Sequence, residues 1–252
     1  VESFGGGLFI WPHGIHVDSE GNVWVTDAVS EARTPDGTRG HQVIKFSPTG
    51  RVLMTLGTPG TPGSGNNSFN APADVVVADN GDIFVADGHG AGGNNRIVMF
   101  SADGTYTGEW GTTGSGPGQF NTPHDMAIDS RGRVFVGDRG NSRIQIFEAD
   151  GTFINQWRNF GRPSGIFINR ATDTLYVTDS TSNSTNNPGV KRGIYIGSAR
   201  SGELSYFIPD PDLELAEQKR ISGASGITAS ADDAEIYAAD VAPRQLRKYL
   251  RP

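Results

Sequence analysis

The chain has 252 residues, a formal net charge of −7, no cysteine, 35 glycines, 14 prolines and 35% hydrophobic residues. That length buries a sizeable core, while the acidic balance offers no basic field for a phosphate backbone and argues against nucleic acid as a partner. No run of about 18 apolar residues is present to span a membrane, and without cysteine there is no marker of redox compartment. Dense glycine and proline point to many short strands joined by tight turns. The 13 Phe, 6 Tyr and 4 Trp fall within alternating strand-like runs, which speaks against disorder. Because the chain starts at Val1 with neither methionine nor a signal sequence, the expectation is a processed or truncated piece.

Read in order, the chain repeats one pattern five times, beginning at Pro12, Pro72, Pro123, Pro163 and Ala224. Each copy opens on a run with apolar residues at alternate positions: PHGIHVD, PADVVVA, PHDMAID, PSGIFIN and ASGITAS. A polar turn follows, then a second strand ending in aspartate: Asp27, Asp87, Asp138, Asp179 and Asp240. A third strand (HQVIKF, RIVMF, RIQIF, GIYIG, LRKYL) and a fourth (RVLMTLG, YTGEWG, FINQW) complete a unit of roughly 40 residues. The prediction is an all-β, single-domain β-propeller over residues 1–252, with four-stranded blades. VESFG reads as a lone fourth strand, and the last unit lacks its own. Val1–Phe4 therefore either closes the last unit, giving five blades, or belongs to a missing first blade, giving six.

Strand direction places the start of strand one, the second-to-third loop and the blade-to-blade link on one face, termed the upper face. The insertions Ala28–Gly40, Thr58–Ser68, Ser180–Gly193 and Pro209–Gly223 all fall there, so a site, or a protein partner, is expected on that face. His13 and His124 share one repeat position, directly after the proline of the innermost strand, and Ser225 holds the next position in that alternation. His89 follows the second strand of its blade, and the equivalent register in the next blade is read as Arg139. Such alternate positions bring imidazoles toward one zinc ion. His16 and His41 are expected to be structural. The repeated aspartates invite a calcium reading, but their regularity fits turn residues better, and structural calcium is not expected. Asp74 and Asp125 are the only acidic residues near innermost-strand starts, too few for a calcium-dependent lactonase mouth.

The stretches GLFIWPHGIHVDSEGNVWVTD, FNAPADVVVADNGDIFVADGHG and NNRIVMFSADGTYTGEWGTTGSGPGQFNTPHDMAIDSRGRVFVGDRGNSRIQIF resemble peptidylglycine alpha-amidating lyase, an NHL-repeat propeller. FGRPSGIFI and YAADVAPRQLRKYL are closer still to bacterial lyase-like NHL proteins. The resemblance implies a six-bladed parent lacking most of its first blade here. It also implies cleavage of a carbinolamide C–N bond with release of glyoxylate, and a secreted or periplasmic address. A small molecule or peptide C-terminus would sit at the channel mouth. It carries two zinc-binding histidines onto His13 and His124 and a substrate arginine onto Arg139. Ser225 stands where the third histidine belongs, Gly226 replaces an acidic neighbour, and His89 takes the place of the family tyrosine. His89 is therefore the expected third nitrogen. The alternative is a non-catalytic propeller serving as a ligand-binding or protein-interaction scaffold.

Overall fold

Alternating apolar positions punctuated by glycine turns become short antiparallel strands, and the computed structural model describes them over residues 3–29, 37–90, 92–212, 223–242 and 244–251. The first sheet comprises β1 (Pro12–Val17), β2 (Val23–Asp27), β3 (Gln42–Phe46) and β4 (Val52–Gly57). The second comprises β5 (Pro72–Val77), β6 (Ile83–Asp87), β7 (Arg96–Phe100) and β8 (Tyr106–Trp110). A two-stranded parallel ladder, β9 (Thr112–Thr113) with β10 (Gln119–Phe120), follows in the link. The third sheet is β11 (Pro123–Ile128), β12 (Val134–Asp138), β13 (Arg143–Phe147) and β14 (Phe153–Trp157). The fourth is β15 (Pro163–Asn169), β16 (Thr174–Asp179), β17 (Gly193–Ser198) and β18 (Leu204–Pro209). The fifth holds β19 (Ala224–Ala229), β20 (Glu235–Asp240) and β21 (Gln245–Leu250).

Every sheet runs in chain order without crossovers, and the architecture is an all-β propeller of five blades starting at the five predicted residues. A fourth strand in blade four, β18, adds to those read from sequence. Ser3 and Phe4 are not strand, a departure from the expected lone fourth strand. The Phe4 ring packs on Phe46 of β3 with centroids 5.3 Å apart, and Val1 and Glu2 lie outside the described residues. The insertions Ala28–Gly40 and Pro209–Gly223 are described only in part. Among the described residues no helix is long and apolar enough to cross a membrane.

The chain divides into two compact units, Val1–His124 and Asp125–Pro252. In the first, Trp24, Val43, Leu56, Phe69, Val75, Val85 and Phe100 belong to one buried cluster. In the second, Phe135, Ile144, Ile146, Phe160, Ile166 and Val177 do the same. The alternation of strand residues explains both, because each apolar set faces the neighbouring sheet.

The aspartate that ends each second strand is a scaffold acceptor. Asp27 takes the N–H groups of Ile10 (2.9 Å) and Trp11 (2.7 Å), and Asp87 takes that of Asn70 (2.7 Å). Asp179 takes the N–H groups of Arg162 (2.8 Å) and Ser182 (2.8 Å). In blades two and three an arginine from the start of the third strand pairs with the same carboxylate: Arg96 with Asp87 at 3.0 Å and Arg143 with Asp138 at 2.7 Å. Arg96 then donates to the carbonyls of Ser64 (2.8 Å), Gly65 (3.1 Å) and Ser68 (2.9 Å), fixing the Thr58–Ser68 insertion. Burial pushes the Asp87 carboxyl up, and Asn94, the Asn70 N–H and Arg96 pull against it. Asp87→Ala leaves Arg96 with Glu109, 2.5 Å from its Nη1, as a remaining carboxylate, but strips the acceptor from Asn94, the Asn70 N–H and Arg96 Nε. The expected loss is about 1–3 kcal/mol, read as a lower urea midpoint at unchanged slope.

Candidate metal centre

The innermost strand of blade one is irregular where it carries its histidine. Pro12 pairs with Asp27 and Ile15 with Val25, so His13 and Gly14 together oppose Thr26. The same shift recurs between Pro72 and Asp74, Pro163 and Gly165, and Ala224 and Gly226. Such a bulge re-aims the side chain it carries. At His13 the displaced backbone is satisfied locally: Gly14 N–H donates to Thr26 Oγ1 (2.8 Å), which donates to the Ala73 carbonyl (3.0 Å). The same carbonyl accepts from His13 Nδ1 (2.8 Å). With the proton on Nδ1, Nε2 bears the lone pair, the tautomer a metal ligand needs.

His89 arrives from the loop after β6, two residues beyond Asp87, whereas Arg139 directly follows Asp138. The inserted Gly88 therefore offsets the two positions by one residue. Gly88 and His89 both donate backbone N–H to the Ala71 carbonyl, at 3.3 and 2.8 Å. Asn70 Nδ2 holds the Gly92 carbonyl, and Asn94 Nδ2 bridges the Gly63 carbonyl and Asp87. His124 enters from the start of β11 and is buried.

These three elements bring His13, His89 and His124 together, with candidate ligand atoms all within 4.8 Å of one another. Ring centroids are 4.5 Å apart for His13 and His89, 4.8 Å for His13 and His124, and 5.1 Å for His89 and His124. Trp11 packs edge-on against His13 (5.3 Å) and His89 (4.8 Å). Zinc–nitrogen distances of about 2.0–2.1 Å in a tetrahedron put ligand nitrogens roughly 3.4 Å apart. Three imidazoles with ligand atoms this close fit a zinc ion in their donor chemistry, with a contraction of the cluster on binding. Among the described residues it is the one group of three metal-capable side chains.

His16 and His41 lie elsewhere in the hydrogen-bond scheme. His16 Nε2 accepts the Val77 N–H (3.3 Å). Buried His41, at a positive φ of 56°, accepts the Ala71 N–H on Nδ1 (3.1 Å). Asn95 repeats that device one blade on, with φ 55° and Oδ1 accepting from Thr122 N–H (2.8 Å). His41 thus fixes Ala71, whose carbonyl fixes His89.

In the second unit, Arg139 opens a short 3-10 turn, Arg139–Asn141. Burial and the neighbouring Arg162 guanidinium lower its pKa to about 10. Ser225 occupies the second position of β19, as its repeat register predicts, and Asp125 Oδ1 accepts the Ile166 N–H (3.0 Å), a tie between innermost strands. Sequence reading missed Trp11 and Arg162. Both directly precede the proline of an innermost strand, and that shared register was the available signal.

The NHL repeat matches residues 69–100 and 120–147. Human NHL repeat-containing protein 3 is 44% identical over 133 residues, 51% of this chain and 36% of that protein. A probable peptidyl-alpha-hydroxyglycine alpha-amidating lyase of Caenorhabditis elegans is 38% identical over 143 residues, 55% of this chain and 37% of that protein. The chain thus matches little more than a third of the length of these relatives. Virginiamycin B lyase from Staphylococcus aureus shares the fold at 17% identity and a TM-score of 0.58, covering 96% of this chain and 71% of that one.

Two outcomes follow from the local geometry. A Cβ at Gly14 would lie 2.5 Å from Asp74 Oδ1 and 2.7 Å from the Ala73 carbonyl. Gly14→Ala should therefore force β1 from β5 and cost about 1–3 kcal/mol by overpacking, visible in thermal melting. Burial depresses the pKa of both His16 and His41 below 6.5, against the pull of Asp18 and Asp27 respectively. The unfolded chain then binds the extra protons, so stability is full above pH 6.5 and declines as pH falls below it. Urea titrations from pH 7 to 5 should show this decline, made shallower by His41→Gln, which keeps an acceptor for Ala71. The chain carries NHL repeats and is homologous, over about half its length, to NHL repeat-containing protein 3 and to the peptidyl-hydroxyglycine amidating lyases.

Proposed function

We propose that the chain is a metal-dependent, lyase-like propeller that cleaves the carbinolamide C–N bond of a peptidyl-hydroxyglycine and releases glyoxylate. The observation that carries this reading is the convergence of His13, His89 and His124 with candidate ligand atoms within 4.8 Å. The three residues would hold zinc, which when bound lowers the pKa of a substrate hydroxyl and steadies its oxygen. The chain's own contribution is orientation. The Ala73 carbonyl sets the His13 tautomer, the Ala71 carbonyl seats the His89 backbone, and Trp11 packs against both rings. His89 supplies the nitrogen that Ser225 does not. In the second unit, the resemblance gives Arg139 a role of its own, a paired donor for a carboxylate. A secreted or periplasmic address belongs to the same proposal.

A second reading, a non-catalytic scaffold for a ligand or protein partner, is favoured by Ser225 and by the 44% identity to NHL repeat-containing protein 3. Elemental analysis and a glyoxylate assay separate the two. Protein purified without chelator should carry about one zinc per chain. Even substitutions behind the ligands cost 10- to 100-fold in metal affinity, so His89→Ala should weaken zinc binding by roughly 100-fold or more. His13→Ala should also abolish glyoxylate release from a hydroxyglycine peptide. Zinc bound without glyoxylate release favours the scaffold, and absence of stoichiometric zinc, copper or iron sinks the metal reading.

A further inference from the structure

The second unit gathers cations on adjoining connections of blades three and four. Arg139 opens the β12–β13 turn, and Arg158, just after β14, donates from Nη1 to the Asn141 carbonyl at the end of that turn (3.1 Å). Arg162 precedes β15. A Cβ at Gly137 would lie 3.1 Å from Pro163 Cβ and 3.1 Å from Ile166 Cδ1, so the end of β12 abuts the start of β15 where Arg139 and Arg162 emerge. The Arg162 guanidinium is braced by its own Nε, which donates to Thr181 Oγ1 (3.1 Å).

The nearby carboxylates are committed elsewhere. Asp138 Oδ2 accepts from Arg143 Nε, Asn141 Nδ2 and Gln145 Nε2. Asp179 accepts backbone N–H from Arg162, Thr181 and Ser182 and the Ser182 hydroxyl. Among the described residues the Arg139 side chain makes no hydrogen bond or ion pair. Burial and the Arg162 charge both act against its protonated form. Two guanidinium groups brought together on a partly desolvated rim repel each other, and a bound oxyanion is the partner that reverses the sign of that interaction.

We propose that Arg139 and Arg162 form a two-guanidinium receptor for a small oxyanion, with Arg162 a specificity-determining residue for the carboxylate end of the ligand. Each planar fork can give paired donors to a carboxylate. The proposal rests on the lyase-like reading only for the role of Arg139. Its test uses EDTA-treated protein, so that it can fail while zinc binding stands and stand while zinc binding fails.

N-acetylglycine and inorganic phosphate, titrated separately by NMR, distinguish the two sources of the same chemistry. Saturable binding of either supports the receptor, the tighter probe naming the anion. Arg139→Gln and Arg162→Gln should each weaken binding at least tenfold, and Arg162→Lys should restore part of the loss. All three variants should melt at or near the wild-type temperature. If Arg162→Gln fails to fold, Arg139→Gln and Arg162→Lys carry the comparison, the latter weaker than wild type but measurable. Binding of neither probe, or binding indifferent to these substitutions, overturns the proposal.

Discussion

A buried carboxylate at the end of a strand is an expensive group, and four of these blades are organised around one. Asp27, Asp87, Asp138 and Asp179 are at most 1% exposed, so each must be supplied with hydrogen-bond donors to offset the cost of burial. In blades one, two and four those donors include backbone N–H groups from the residues just ahead of the innermost strand. The carboxylate therefore fixes the angle at which the chain enters its own blade. In blades two and three a third-strand arginine shares the load. Arg96 passes the constraint outward to the Ser64, Gly65 and Ser68 carbonyls, converting a long insertion into ordered backbone.

That arrangement reaches the histidines through short chains of bonds. Asp27 holds the Trp11 backbone, and the Trp11 ring lies edge-on to His13 and His89. His41 holds the Ala71 N–H, and the Ala71 carbonyl receives His89 N–H. The bulge at His13 trades a regular ladder bond for the Thr26 hydroxyl. Position is set by rigid strands and buried polar bonds, although two of the three imidazoles sit at strand starts and the third in a loop.

The blades were legible because alternation with period two survives in each repeat, and the aspartates advertised themselves by recurring at one register. His13 and His124 followed from register alone. His89 is expected beside them from the resemblance and the missing third histidine rather than from register, because loop conformation depends on Gly88 and on bonds to Ala71, Asn70 and Asn94 that have no periodic signature. His41 was correctly set aside, but for a reason absent from its own strand: Asn95 does the same work one blade on with a different side chain. The bulges were hidden because a two-against-one pairing leaves apolar alternation intact on either side.

Trp11 and Arg162 show why chemistry collects where it does. The residue ahead of the innermost-strand proline gives its backbone N–H to the scaffold in four blades: Trp11 to Asp27, Ala71 to His41, Thr122 to Asn95 and Arg162 to Asp179. The donor is the main chain, and the side chain differs from blade to blade: tryptophan and arginine at two of these positions, alanine and threonine, with φ of 60° and 58°, at the other two. A position that is fixed in the backbone and open in the side chain is where binding groups can be placed precisely on a rigid support. The same logic applies two residues further on, where a single repeat register carries imidazole at His13 and His124, a methyl at Ala73 and hydroxyl at Ser164 and Ser225.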